Sequence, residues 1–277
     1  MANILGPDEI LDKVSDAYVK KARANTKRLF ILSFLAGAFI AFAAAGSSFA
    51  SFNLLANKDT LGLGKLVQGL CFTPGLIFVL IAGAELFTGN NLMLISVYDK
   101  KINIKELLRA WGIVYLGNFI GSVFVAFLML KSGQWEACDS MLGARTILIA
   151  NSKVNLGFSE AFILGIFCNW LVCLAVWMSF GSDSQVGKML CAFFPVMLFV
   201  LSGFEHSIAN MYYIPAGIFA KSVPAYAAAS GLGDGLISLT WSGFFIHNLI
   251  PVTLGNIVGG GIFVGLAYWL SLRKKED

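Results

Sequence analysis

Pro74-Gly75-Leu76-Ile77-Phe78-Val79-Leu80-Ile81-Ala82-Gly83-Ala84-Glu85-Leu86-Phe87-Thr88-Gly89-Asn90 has a second copy in Pro195-Val196-Met197-Leu198-Phe199-Val200-Leu201-Ser202-Gly203-Phe204-Glu205-His206-Ser207-Ile208-Ala209-Asn210. Each copy runs from a proline through Phe-Val-Leu to a glycine, a glutamate and an asparagine, and dropping one residue brings the two into register. Glu85 and Glu205 are the only carboxylates in the interior of the long hydrophobic stretches, Glu160 standing at the edge of one. A buried acid costs several kcal/mol unless it is satisfied, so an acid kept twice in the same frame points to a built feature. Proline and glycine beside it point to broken helices, which membrane interiors tolerate only where the break is buried or lines a cavity.

The rest of the chain supplies the membrane. Of 277 residues, 57% are hydrophobic and only 13% charged, and the mean hydropathy is +0.77. One soluble core cannot hide that much apolar surface. Hydropathy gives six spans, at 28–56, 66–98, 108–131, 158–180, 189–220 and 244–272, each reaching the roughly 20 residues a bilayer requires. The second and fifth exceed that length, which leaves room for a break in each.

Further matches extend the repeat. Phe34, Gly37 and Phe39 pair with Phe162, Gly165 and Phe167, and Leu116-Gly117-Asn118 with Gly121 pairs with Leu254-Gly255-Asn256 and Gly259. Two halves, 28–131 and 158–272, follow. Three spans per half is an odd number, so the second half enters the membrane from the opposite side, as inverted repeats do. Close helix packing is the simplest role for the Leu-Gly-Asn glycines.

Residues 1–27 carry no apolar core with a cleavage site, so they are not a cleavable signal. Ile10, Leu11, Val14, Ala17 and Tyr18 share one helical face, which reads as an amphipathic helix on the membrane surface or as a topogenic tail. Fourteen of the 20 Lys and Arg residues lie on the side that holds both ends of the chain, which predicts cytoplasmic termini. The charge of +4 reflects that anchoring and is no argument for nucleic acid. Five cysteines show no metal-ligand spacing, and no cofactor or metal is expected.

His206 follows Glu205 at the second break and is the side chain best suited to donate a hydrogen bond or a proton near neutral pH. Thr88 stands at the corresponding break as its polar partner, or as a donor to a freed carbonyl. Glu85, Glu205, Asn90 and Asn210 suit the support of broken-helix backbone. A buried hydrolase using His206 with Ser202 or Ser207 is the alternative of another class, and it lacks an orienting group or oxyanion hole.

Gly83-Ala84-Glu85-Leu86-Phe87-Thr88-Gly89, together with Gly203-Phe204-Glu205-His206-Ser207-Ile208-Ala209-Asn210-Met211, resembles the formate/nitrite transporter family. The resemblance covers nearly the whole chain. It implies an all-α integral membrane protein of six transmembrane helices, built as two inverted three-helix repeats in an aquaporin-like fold with broken second and fifth helices. It implies a homopentamer in the cell membrane, each protomer with its own pore for small monovalent anions of weak acids: formate, nitrite or hydrosulfide. The overall text looks closest to the hydrosulfide branch. Carried over, the resemblance places Thr88 and His206 at the pore centre, with Phe72 and Phe199 narrowing the outer side and Leu76, Leu86, Phe87 and Val172 the inner side. Lys153, in the outer loop before the fourth span, joins Glu205 in a polar network, with Asn169 and Asn256 beside it.

Overall fold

A computed structural model describes residues 4–273. Its helices are α1 (Pro7–Ala22), α2 (Thr26–Ala56), α3 (Leu61–Phe72), α4 (Pro74–Ala82), α5 (Leu94–Tyr98), α6 (Ile104–Lys131), α7 (Met141–Val154), α8 (Phe158–Phe180), α9 (Gln185–Leu201), α10 (Ser207–Lys221) and α11 (Pro224–Ser230). A last long helix covers Gly243–Leu272. Two stretches of this last helix, Gly243–Leu249 and Val258–Leu266, are wound as π-helix.

Among the described residues, five helices are long and apolar enough to cross a membrane: Thr26–Ala56, the α3–α4 run Lys58–Ala82, Ile104–Lys131, Phe158–Phe180 and Gly243–Leu272. The expected fifth span, 189–220, is covered by α9, 17 residues long or about 25 Å of helix against a hydrocarbon core near 30 Å, and, beyond a break, by α10. The second span also differs from the expected 66–98. It starts earlier and ends at Ala82, beyond which the chain continues as a 3-10 turn, Gly89–Met93, and the short α5.

The prolines are not the breakers. Pro195 sits inside continuous α9, and Pro74 opens α4 after only Thr73 intervenes. Glycine does the breaking: Gly83 and Gly203 adopt φ +79° and +75°. A side chain at Gly83 would meet nothing within 4 Å, so the left-handed backbone, not space, selects glycine there.

Close packing at small residues joins α2 to α6 and α8 to the last helix. A Cβ on Gly121 would overlap the Phe34 carbonyl, and one on Gly259 the Ile166 carbonyl. These contacts equate Phe34 with Ile166, a shift of one helical turn from the sequence match of Phe34 with Phe162. Phe and Gly recur often enough along an apolar helix that a register slipped by a turn still aligns.

Two helices outside the long spans matter for the site. The apolar face of α1 does not lie on lipid: Leu11, Val14 and Tyr18 are buried, and α1 packs on α5, α6, α8 and the Gly89–Met93 turn. Gly6 and Pro7 start that helix, with Glu9 reaching back to the Gly6 N–H at 2.8 Å, as a helix start requires. On the other side, α7 is a 14-residue helix where a loop was expected, and it packs on α10.

Candidate functional site

The two breaks are built by the same hydrogen bonds. Past Gly83, Ala84 N–H donates to Val79 O at 2.9 Å; past Gly203, Phe204 N–H donates to Phe199 O at 3.0 Å. Both are the six-to-one bonds that close a helix ending in a left-handed residue. Glu85 N–H then donates to Leu32 O, and Glu205 N–H to Leu164 O, each at 3.2 Å.

An asparagine completes each break. Asn118 donates to Ser33 O (2.7 Å) and Glu85 O (2.9 Å) while its Oδ1 accepts from Phe87 N–H (2.9 Å). Asn256 donates to Gly165 O (2.8 Å) and Glu205 O (2.9 Å) while its Oδ1 accepts from Ser207 N–H (2.9 Å). An amide has both donors and an acceptor, so one side chain satisfies backbone groups of both signs where water is absent. Asn118 was missed by sequence reasoning, although its signal was present: the Leu-Gly-Asn repeat was read for its glycine alone.

The glutamate side chains are also satisfied in parallel. Asn90 donates to Glu85 at 3.0 Å and Asn210 to Glu205 at 2.6 Å. Lys21 of α1 pairs with Glu85 at 3.1 Å, and Lys153 of α7 with Glu205 at 2.6 Å. Lys21 and Lys153 differ in number by the same interval as Leu32 and Leu164, so α1 and α7 are themselves matching parts of the two copies. Lys21 had no assigned role in the sequence reading, and Lys153 stands on a helix, not in a loop. The second pair is the better held, since Asn248 also reaches Glu205 (3.3 Å) and donates to the Lys153 carbonyl (3.0 Å).

Between the breaks lies a narrow passage. A cavity of 660 Å³ opens on the α7 side, with Lys65, Arg145, Lys153, Glu205 and His206 in its wall. A cavity of 310 Å³ opens on the α1 side, with Lys13, Lys21, Glu85 and Lys188 in its wall. A pinch of only 10 Å³ separates them, lined by Ile40, Phe72, Leu76, Leu86, Val172, Val196, Phe199 and His206, about the room one water needs. Phe72, Phe199 and His206 also face the α7-side cavity, while Leu76 and Leu86 also face the α1-side cavity. Phe72 and Phe199 meet edge to face at 5.9 Å, and Phe199 stacks on the His206 ring at 5.8 Å.

His206 is the one polar side chain on that pinch. Its Nδ1 accepts from Ala209 N–H at 3.0 Å, capping α10, and its Nε2 lies 2.8 Å from Thr88 Oγ1. A backbone N–H can only donate, so Nδ1 carries a lone pair. In the neutral ring the proton is therefore on Nε2, which donates to Thr88. Thr88 itself is fully buried and stands behind the ring, outside the cavity walls. Its carbonyl accepts from Asn169 (3.2 Å) and from the Cys173 thiol (3.2 Å).

Other expected site residues are placed differently. The Phe87 ring packs on Trp111 (5.5 Å) and Tyr115 (4.8 Å) of α6 and lines neither cavity nor pinch. Asn118 fixes its N–H on the α6 side, which turns the side chain away from the passage. Asn169 and Asn256 likewise line neither cavity nor pinch; the Asn169 amide nitrogen, with two hydrogens shared among three acceptors, links the breaks through Asn91 Oδ1 (2.8 Å), Asn256 O (2.7 Å) and, at longer range, Thr88 O. No cluster of three metal-ligating side chains occurs among the described residues.

The formate/nitrite transporter family model matches residues 8–270. The chain belongs to the formate/nitrite transporter family. Relatives in this family include a protein named as a probable formate transporter in Methanothermobacter thermautotrophicus, 42% identical over 92% of this chain and 92% of that one. The formate channel FocA of Escherichia coli (strain K12) is 37% identical over 99% of this chain and 97% of its own. A solved structure described as a pentameric formate channel with formate bound matches with a TM-score of 0.83 and 42% identity, covering 92% of this chain and 99% of that one. Family membership makes this chain a transporter or channel and not an enzyme, which removes the hydrolase alternative.

Proposed function

We propose that the protein passes small monovalent anions of weak acids across a cell membrane, formate foremost, through the pinch at His206. Three relatives described as formate proteins favour formate over the hydrosulfide preference of the sequence reading. In the same reading both chain ends are cytoplasmic, the α7-side cavity faces outward, the halves are inverted copies, and five protomers assemble, each with its own passage.

The observation that carries the proposal is the single polar ring on an otherwise apolar pinch between two lysine-lined cavities, that of His206, whose Nε2–H rests on Thr88. Lysines on both sides raise the local anion concentration. A bare anion in a dry apolar constriction faces a penalty of tens of kcal/mol in the limiting estimate. Protonating formate, with an acid pKa of about 3.7, costs roughly 4 to 5 kcal/mol at neutral pH, so crossing as the neutral acid is the cheaper route. His206 acts before that step. An arriving anion is a stronger acceptor than the Thr88 hydroxyl and takes over the Nε2–H, a charge-assisted bond. Thr88 keeps that donor satisfied while the passage is empty.

Two sources for the proton are distinguishable. Water of the cavities is compatible with the observed geometry. Donation by His206 itself requires an imidazolium, whose Nδ1–H would face the Ala209 N–H, so α10 would lose its cap. The test is anion flux into proteoliposomes for formate, hydrosulfide, nitrite and chloride across a pH series, with wild type and His206→Asn. We expect formate to pass far faster than chloride, the variant to be slower, and both to rise alike as pH falls. Chloride passing as fast as formate would overturn the weak-acid reading, and a pH dependence abolished in the variant would make His206 the proton donor.

A further inference from the structure

The α7-side cavity holds more positive charge than its glutamates engage. α7 turns Arg145, Ile149 and Lys153 toward it, at the spacing of one helical face. Lys153 is taken by Glu205. Arg145 is not: its Nε is buried with no hydrogen-bond partner among the described residues. Lys65, on α3, lines the same cavity, with its Nζ 3.8 Å from where a Cβ on Gly203 would be. The ion pairs among the described residues engage neither Arg145 nor Lys65. The other acid in the wall, Glu160, is exposed.

A half-buried guanidinium without a carboxylate is costly unless something else completes it. Its planar fork of N–H donors fits two oxygens of one anion side by side, which a lysine ammonium does not offer. Arg145 and Lys153 lie eight residues apart on α7, about 12 Å of helix, so an anion on Arg145 is separate from the Lys153–Glu205 pair.

We propose that Arg145, with Lys65 of the same cavity wall, forms a docking site for a planar two-oxygen anion, a small carboxylate, which occupies it before reaching the pinch. The site favours formate and its like over spherical or diatomic anions, and so adds selectivity that the apolar pinch lacks. It rests on the transport reading for its purpose, whereas its occupancy is measurable without any flux.

Saturation-transfer NMR of formate on the purified full-length protein reads that occupancy. Acetate should compete with formate, and chloride at equal concentration should not. Arg145→Lys, which keeps the charge and loses the fork, should weaken formate binding about five- to tenfold, and Arg145→Gln should weaken it further. Lys105→Gln, a charge change on an exposed position of α6, should leave it within twofold of wild type. Wild-type binding in both Arg145 variants, or an equal loss in Lys105→Gln, would overturn the proposal. Retention of the wild-type elution volume and melting temperature by Arg145→Lys separates a lost site from a lost fold. Absence of formate flux with intact Arg145-dependent binding would instead overturn the transport reading and leave this one standing.

Discussion

The break after α4 and the break after α9 share their backbone bonds, their asparagines and their Glu–Lys pairs, yet at one matched position the first has Leu86 and the second His206. Both side chains reach the pinch. Only the histidine can cap the helix that follows: α10 runs for 15 residues from Ser207, while the chain after Leu86 forms a 3-10 turn and a five-residue helix. The difference teaches that two breaks with one set of backbone bonds need not present the same surface: only the second brings a polar ring to the pinch.

The frame can be broken unequally. Lys153 and Glu205 are 16% and 5% exposed, against 31% and 10% for Lys21 and Glu85. Removing one partner of a buried pair costs about 3–5 kcal/mol, and less where the partner left behind can reach water, as Lys21 can. Glu205→Ala should therefore lower the thermal midpoint of the purified protein by much more than Glu85→Ala. Equal losses would mean that the additional support from Asn248 contributes nothing.

Asn118→Leu and Asn256→Leu should cost about the same as each other, each stranding buried backbone groups worth about 1–3 kcal/mol apiece. Matched melting shifts would confirm that the breaks are equivalent in energy as well as in geometry; a loss confined to one would end that equivalence.

The smallest effect concerns α1, the helix that brings Lys21. Asp99 anchors it: burial alone would raise the Asp99 pKa, but hydrogen bonds from Ser15 and Trp269 and the Arg273 guanidinium hold it below its ordinary value. A carboxyl so lowered adds stability that is present above the ordinary aspartate value near 4 and is lost as pH falls through the lowered one. Amide exchange in α1 should thus accelerate only in acid below about pH 4, and Asp99→Asn should reproduce that acceleration at neutral pH. If neither alters exchange, α1 is held by its apolar face alone.

Much of this was legible in the sequence because duplication made it visible twice. The glycines, glutamates and asparagines repeat, and so do the breaks they build. What was not legible depended on register or direction. The first-span match slipped by a turn because apolar helices repeat Phe and Gly often. Phe87 was assigned to the passage because sequence order does not reveal that Asn118 turns its backbone toward α6. Lys21 was passed over because a lysine in a polar leader carries no sign of its carboxylate 64 residues away. Pro195 was read as a breaker, although neighbouring structure tolerates proline within a membrane helix.

The central claim is that His206 carries its proton on Nε2, resting on Thr88, because Ala209 N–H occupies Nδ1. The chain has only two histidines, so ¹⁵N NMR of histidine-labelled protein, with His247→Gln to assign the signals, reads the His206 tautomer directly. The account predicts a protonated Nε2 and a bare Nδ1 at pH 7 in the absence of solute. A proton on Nδ1 under those conditions would contradict it.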